Sequence, residues 1–397
     1  MQLNPPQRTT GDLPRERQCP IKGGLPSDGT TGSLPAGINK SRNRGTRTMR
    51  FIGSKTLLLD HIRAVAEEKA PDARSFCDIF SGTAAVARHF KQWYEVYSND
   101  LLYFSYVLQR ATIENDSVPE FGRLKEELGI TDPVEYFNGK ETRDMEDLVQ
   151  ERRFFQNTYA PTGGRMYLND DNALRIDYAR CTVEDWKTAG LLDENEYYYL
   201  VACIVEGIPF VSNTSGTYGA YHKSWERRSY KKYELYRLEV TTNHRENRCY
   251  NEDGAELLKR LQGDILYVDP PYNERQYLPN YHVLETAARY DYPEVTGVTG
   301  QRPYENQKSE FCMKKNVTDA FERLISNARF QHIILSYSTD GLMTTEDIER
   351  IMKTYGKPET FHIYEIPYRR YKSRKVKETE RLKELLVYVE KQVESCI

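Results

Sequence analysis

The chain has 397 residues, with 56 Lys and Arg against 59 Asp and Glu, for a formal net charge of −3. This balance excludes a polycation, so any nucleic-acid contact must come from local basic patches. At 39% hydrophobic and 29% charged, the sequence reads as a globular chain with a sizeable core in one large or two ordinary domains, and no stretch approaches the ~20 apolar residues of a membrane span. No secretory pattern opens the chain. The cysteines at 19, 77, 181, 203, 249, 312 and 396 are scattered without a CxxC pair, which argues against a disulfide framework or structural zinc and for a reducing cytoplasm.

Residues 1–48 hold seven glycines and six prolines with almost no apolar periodicity, so a disordered leader is expected there. A protein starting at Met49 is expected to keep full activity. From Arg50 the pattern changes to Phe51-Ile52-Gly53-Ser54-Lys55, followed by Leu58, Leu59, Ile62, Val65 and Ala66 at helical spacing. Ser54 reads as an N-cap, and a helix start beside Lys55 suits an anionic group; an ordinary capped helix explains it equally well. Next, Ser75–Ile79 reads as a strand, Phe80-Ser81-Gly82-Thr83-Ala84 as a small-residue turn, and Ala85–Phe90 as a helix. This is the first unit of a doubly wound fold, with Asp78 and Phe80 beside a turn where Gly82 allows close approach. No GxGxxG is present. A second strand, Glu95–Ser98, ends at Asn99-Asp100, where an acidic residue is placed either to bind ribose hydroxyls or to cap the next helix at 101–115.

The strand–helix rhythm then stops. Residues 120–248 mix short helices, a Gly163-Gly164 turn and aromatic-rich pieces, and read as an insert. Val211–Trp225 is a polar, aromatic-bearing loop that includes Tyr218. Lys223–Arg248 carries eight basic residues, among them Lys223, Arg227 and Arg228, against four acidic ones. Basic residues interleaved with Tyr230, Tyr233 and Tyr236 suit phosphate contact and base stacking, although a solvated face explains them almost as well.

The rhythm resumes at Cys249, with Asp253 at a strand-to-helix junction. Ile265–Val268 reads as a buried parallel strand whose carboxyl end carries Asp269-Pro270-Pro271-Tyr272. Two prolines fix this segment extended, so a carboxylate, an unpaired proline carbonyl and an aromatic face stand together. Such a triplet fits an exocyclic amine on a planar ring. Helices follow at 281–290, 317–328 and 343–355, with a polar connection at 291–316 and a strand at His332–Tyr337. A C-terminal hairpin pairs 360–367 with 384–390. Its tip places Arg369, Arg370, Lys372 and Arg374 among six cations in nine residues, a candidate phosphate clamp.

In the order Phe-Ile-Gly-Ser-Lys, Asp-x-Phe-x-Gly loop, large insert and Asp-Pro-Pro-Tyr, residues 49–397 resemble the N6-adenine-specific DNA methyltransferases of the alpha motif order, the Dam-like enzymes of restriction-modification systems. The resemblance implies a Rossmann-like α/β methyltransferase domain over 49–119 and 249–397, and a target-recognition insert at 120–248. It implies S-adenosylmethionine as cofactor, bound by Phe51, Lys55, Asp78, Phe80, Gly82, Asp100 and Asp253, and no metal. It places Asp269, Pro270, Pro271 and Tyr272 at the target adenine. Double-stranded DNA is the implied partner, met by Tyr218, Lys223, Arg227, Arg228 and the hairpin-tip cations, with a cognate endonuclease as a further one. Ser81-Gly82-Thr83-Ala84 departs from the commoner Gly-x-Gly of that loop.

The chemistry implied is direct methyl displacement. Hydrogen bonds from adenine N6 to Asp269 and the Pro270 carbonyl favour a pyramidal nitrogen, and Tyr272 stacks on a base turned out of the duplex. Competing readings are an RNA adenine methyltransferase, cytosine N4 methylation, and a non-catalytic nucleic-acid-binding protein with a vestigial fold. The Asp of the motif, the motif order, and Asp78 with Asp100 argue against these in turn.

Overall fold

The computed structural model describes residue 53, residues 55–367 and residues 383–392. The expected leader, Phe51 and the hairpin-tip residues Arg369, Arg370, Lys372 and Arg374 lie outside the described residues. Seven strands form one sheet: β1 (Ser75–Asp78), β2 (Glu95–Asn99), β3 (Arg248–Tyr250), β4 (Gln262–Val268), β5 (Arg329–Ser338), β6 (His362–Pro367) and β7 (Lys383–Glu390), in the order β3-β2-β1-β4-β5-β7-β6. The first five pair in parallel, and β7 runs antiparallel to both β5 and β6. This is the expected doubly wound, mostly parallel sheet with a C-terminal hairpin. Chain order reverses between β1 and β4, which opens a crevice at their carboxyl ends.

The pleat explains why β1, β4 and β5 read as continuous apolar runs, because both faces are covered. Phe76, Ile265, Tyr267 and Ile334 face one side, against α1 (Leu59–Lys69) and α2 (Ala85–Phe90). A chain segment starting with α3 (Tyr103–Gln109) and a π-turn at Arg110–Glu114 leaves the sheet and builds α4 (Gly122–Leu128), α5 (Pro133–Gly139), α6 (Phe154–Tyr159), α7 (Asp170–Thr188) and α8 (Glu194–Gly207). After β3 come α9 (Gly254–Leu257), α10 (Leu278–Arg289), α11 (Val317–Asn327) and α12 (Thr345–Tyr355). Cys77, Leu266, Val268, Ile333 and Leu335 face the second side, where α9, α11 and α12 bury Leu257, Phe321, Leu324, Ile348 and Ile351.

Several boundaries differ from expectation. Helix α1 begins at Leu59, not after Ser54, because Lys55 to Leu58 close a turn through Leu58 N–H donating to the Lys55 carbonyl at 2.7 Å. The insert contains two long helices, α7 with 19 residues and α8 with 14. Its core is continuous with that of α3 and α10: Phe104, Val107, Leu284 and Ala287 pack in the same cluster as Ile176, Val183, Leu200 and Ile204. The 120–248 segment therefore shares its core with α3 and α10 of the sheet-bearing body.

Candidate active site

The crevice at the ends of β1, β2 and β4 holds about 1370 Å³ of atom-free space, its open mouth included. Lys55, Asp78, Phe80, Gly82, Asp100 and Asp253 all line it, as do Asp269, Pro271 and Tyr272. Residues from five separate parts of the sequence thus meet in one cavity. Pro270 is buried within the motif.

Strand β4 delivers Asp269 directly past its last residue. Its Oδ1 lies 3.1 Å from Lys55 Nζ, which also meets Glu384 Oε1 of β7 at 2.5 Å. Burial pushes the Asp269 carboxyl up to about 7; the Lys55 ammonium opposes that rise and Glu384 adds to it. Lys55, a residue expected at the cofactor, is ion-paired here with these two protein carboxylates. Tyr272 is 7% exposed, with its ring edge-on to Tyr337 at 6.5 Å and Lys55 Nζ 5.6 Å from its centroid. The Tyr272 carbonyl accepts from Leu342 N–H at 3.1 Å, and the Tyr337 hydroxyl accepts from Met343 N–H at 3.1 Å. The loop after β5 therefore clamps the motif.

On the other wall, Asp78 is 1% exposed. Its Oδ2 accepts from Ser81 Oγ at 3.0 Å, while its buried Oδ1 has no hydrogen-bond partner. Burial pushes this carboxyl up to about 8, and Asp269 and Asp100 add to the shift. Gly82 sits at φ 53°, the left-handed region that suits glycine, and its N–H donates to Asp100 Oδ2 at 2.8 Å. Asp100 Oδ1 accepts from Leu102 N–H at 2.8 Å, so one carboxylate both closes the loop and meets the start of α3. Burial raises Asp100 to about 6 against those backbone bonds. Ala84 also adopts φ 60°, at the point where the loop lacks a second glycine. Asp253 caps α9, accepting from Ala255 N–H at 3.0 Å and Glu256 N–H at 3.1 Å.

Sequence reasoning missed a third wall. The polar connection after α10 folds back over the cavity, and Phe311 meets the Phe80 ring edge-on at 5.0 Å. Gln276 fixes this segment with two bonds to the Ser309 backbone, at 2.8 and 3.0 Å. Gln307 donates to Glu285 Oε1 at 2.7 Å. Gln276 and Tyr277 lie four and five residues past Tyr272, close enough to the motif to be candidates by position; residues 305–312 carry no periodic signal.

Of the expected DNA-facing residues, Lys223 and Arg227 are exposed. Arg228 is half-buried and donates to the Thr214 carbonyl. Tyr218 is a correction: it is 2% exposed, with its hydroxyl 3.0 Å from Ser212 Oγ, because its ring anchors the loop in the helical core. The loop is pinned to α10 through Tyr218 N–H donating to the Asn280 carbonyl at 2.8 Å and through His282 Nε2, 3.0 Å from the Tyr218 carbonyl. Burial pushes His282 down to about 4, so the neutral ring donates from Nε2.

Residues 51–355 match the family profile of D12 class N6 adenine-specific DNA methyltransferase. The chain is 49% identical over 348 residues to Type II methyltransferase M.FokI of Planomicrobium okeanokoites, covering 87% of this chain and 53% of that protein. It is 41% identical over 344 residues to Modification methylase StsI of Streptococcus sanguinis (86% and 52%). Against Type II methyltransferase M.NlaIII of Neisseria lactamica the identity is 36% over 333 residues (82% and 93%). The chain thus spans about half the length of the first two relatives and nearly all of the third. The chain belongs to the D12 class N6 adenine-specific DNA methyltransferases.

Proposed function

We propose that the protein transfers a methyl group from S-adenosylmethionine to the N6 amino group of adenine within a specific double-stranded DNA sequence, as the modification arm of a restriction-modification system. The observation that carries this reading is the meeting of Asp269 and Tyr272 with Asp78, Gly82 and Asp100 in one cavity. The residues fit the cofactor. Asp78 offers a buried, unsatisfied carboxyl oxygen, and its pKa is raised first by burial and then by the neighbouring acids Asp269 and Asp100. Gly82 and Phe80 give a close backbone approach and an aromatic wall. When bound, S-adenosylmethionine supplies an electrophilic methyl group on a positively charged sulfur.

The remaining work falls to the chain. Asp269 accepts a hydrogen bond from the target amine, more strongly as the ionised carboxylate, and Lys55 favours that form. Tyr272 provides a face for a purine turned out of the duplex, offsetting part of an unstacking cost of a few kcal/mol. No covalent bond to the protein is needed, so positioning and preorganised electrostatics supply the rate. Lys223 and Arg227, both exposed in the stretch after Tyr218, are the proposed phosphate contacts. No helix among the described residues is long and apolar enough to cross a membrane.

The test uses labelled cofactor with duplex DNA and, separately, structured RNA, followed by nucleoside analysis. N6-methyladenine in the DNA arm alone is expected. Methylated RNA alone, or N4-methylcytosine, would refute the proposal. Asp269→Ala should abolish transfer while cofactor binding stays nearly intact.

A further inference from the structure

We propose that Glu384 is a positioning residue for the reaction: from the last strand of the sheet it holds the Lys55 ammonium against Asp269 and, by sharing that cation, tunes the charge of the carboxylate that meets the target amine. The inference rests on the reading of Asp269 given above. Glu384 is not among the residues lining the cavity, and its side chain is 5% exposed, so it acts through another group. That group is Lys55, itself 6% exposed, which leaves the turn before α1 and reaches both carboxylates. Ser336 Oγ on β5 donates to the same Glu384 Oε1 at 3.1 Å, fixing the carboxylate from the neighbouring strand. The cluster holds two anions and one cation, and one buried ammonium cannot neutralise both.

Among the described residues, the groups facing Asp269 are Lys55 from the turn before α1, Glu384 from β7, Asp78 from β1, Tyr267 from β4 and Tyr277 at the start of α10, with Lys55 the one cation among these. Glu384 therefore works against the ionisation of Asp269 while holding in place the ammonium that supports it. Burial and Glu384 hold the Asp269 carboxyl above the usual carboxylate range against the pull of Lys55, so a donor arriving with the target base shifts the balance toward the charged form.

The decisive experiment is the pH profile of kcat for the full-length wild type and Glu384→Gln, with duplex DNA and S-adenosylmethionine at saturation. Glu384→Gln keeps the shape and an acceptor for Lys55 but removes the charge. The acid limb should move down by about one pH unit, a tenfold change in acidity, without a change in cofactor affinity. Glu384→Asp, which keeps the charge, should hold the wild-type limb. Lys55→Met should move it upward. A limb that stays put in Glu384→Gln, or a uniform loss of kcat at every pH, overturns the proposal. Carboxyl-carbon NMR titration of Asp269 in cofactor-free protein reads the same shift without turnover. If the wild type methylates no DNA, the functional reading fails, and the NMR shift still decides the role of Glu384.

Discussion

Helix α3 begins without a cap of its own: Leu102 offers no side-chain acceptor, and its first turn holds no acid. Glu285, fully buried on α10, supplies the missing acceptors from across the core. Its Oε2 takes Phe104 N–H at 2.9 Å, and its Oε1 takes Tyr103 N–H at 3.1 Å and the Gln307 amide at 2.7 Å. Arg289 Nε adds a fourth bond at 2.7 Å. In Glu285→Ala the Tyr103 and Phe104 N–H groups lose this acceptor, at about 1–3 kcal/mol each, while the Gln307 amide keeps its bond to the Leu101 carbonyl at 3.3 Å. Arg289 is 30% exposed and can turn to water. Water entering the vacated space recovers part of the loss, leaving an expected destabilisation of about 2–4 kcal/mol, a large share of the ~5–15 kcal/mol by which domains are stable. Glu285→Gln keeps one acceptor oxygen and should cost about half as much. Urea unfolding of the full chain, followed by circular dichroism, measures the difference as a shift of midpoint at unchanged slope. Because α3 starts three residues after Asp100 and Gln307 lines the cavity, cofactor affinity should fall in step. A loss below ~1 kcal/mol in Glu285→Ala would refute the account of Glu285 as a cap supplied from another helix.

Four other outcomes are expected. Asp78 titrates near 8 in the fold against 3.8 ordinarily, so its stabilising contribution is complete below pH ~4 and is lost as pH rises through 8; Asp78→Asn should flatten that decline in the melting temperature of cofactor-free protein. Ala84 pays the left-handed strain at φ 60°, so Ala84→Gly should raise the urea midpoint by the equivalent of about 0.5–1 kcal/mol, and a decrease would show that the loop is not strained there. Tyr218→Phe loses a buried hydroxyl contact and should cost about 1 kcal/mol of stability with DNA affinity unchanged. Arg227→Ala should do the reverse, lowering the salt slope of DNA binding by about one, as fluorescence anisotropy at several salt concentrations will report.

The sheet was legible because its strands obey one rule: Phe76-Cys77-Asp78 and Ile265–Val268 are apolar runs ending in acids, the pattern of a strand buried on both faces with a site at its end. The cavity residues on β1, β2 and β4 followed from that placement. Helix α7 was opaque for a physical reason. It buries Asn172, Arg175, Asp177 and Arg180, so apolar periodicity cannot reveal it; Arg180 donates to the Ala287 carbonyl at 2.8 Å, and Asp177 accepts from Phe155 N–H at 2.8 Å. Tyr218 misled because a tyrosine in a polar loop serves equally as a base platform or an anchor, and only the hydrogen bond to Ser212 distinguishes them. Glu384 was invisible because its partner lies 329 positions away.

One helix explains why these separate pieces behave as a single site. Helix α10 starts six residues after Tyr272, so its axis fixes the direction in which the catalytic motif leaves the sheet. Along its length it receives the recognition-side loop through Asn280 and His282, the start of α3 through Glu285, and α7 through the Ala287 carbonyl. A rigid element bonded at each turn cannot yield at one turn without disturbing the next. Under the proposed function, a duplex contacting Lys223 on the loop at 213–226 would bear on the same helix that follows Asp269 and Tyr272. In such a body, substitutions that loosen DNA contact and those that loosen the catalytic motif are coupled through α10, and a double-mutant cycle between His282 and Tyr272 would read that coupling as non-additivity.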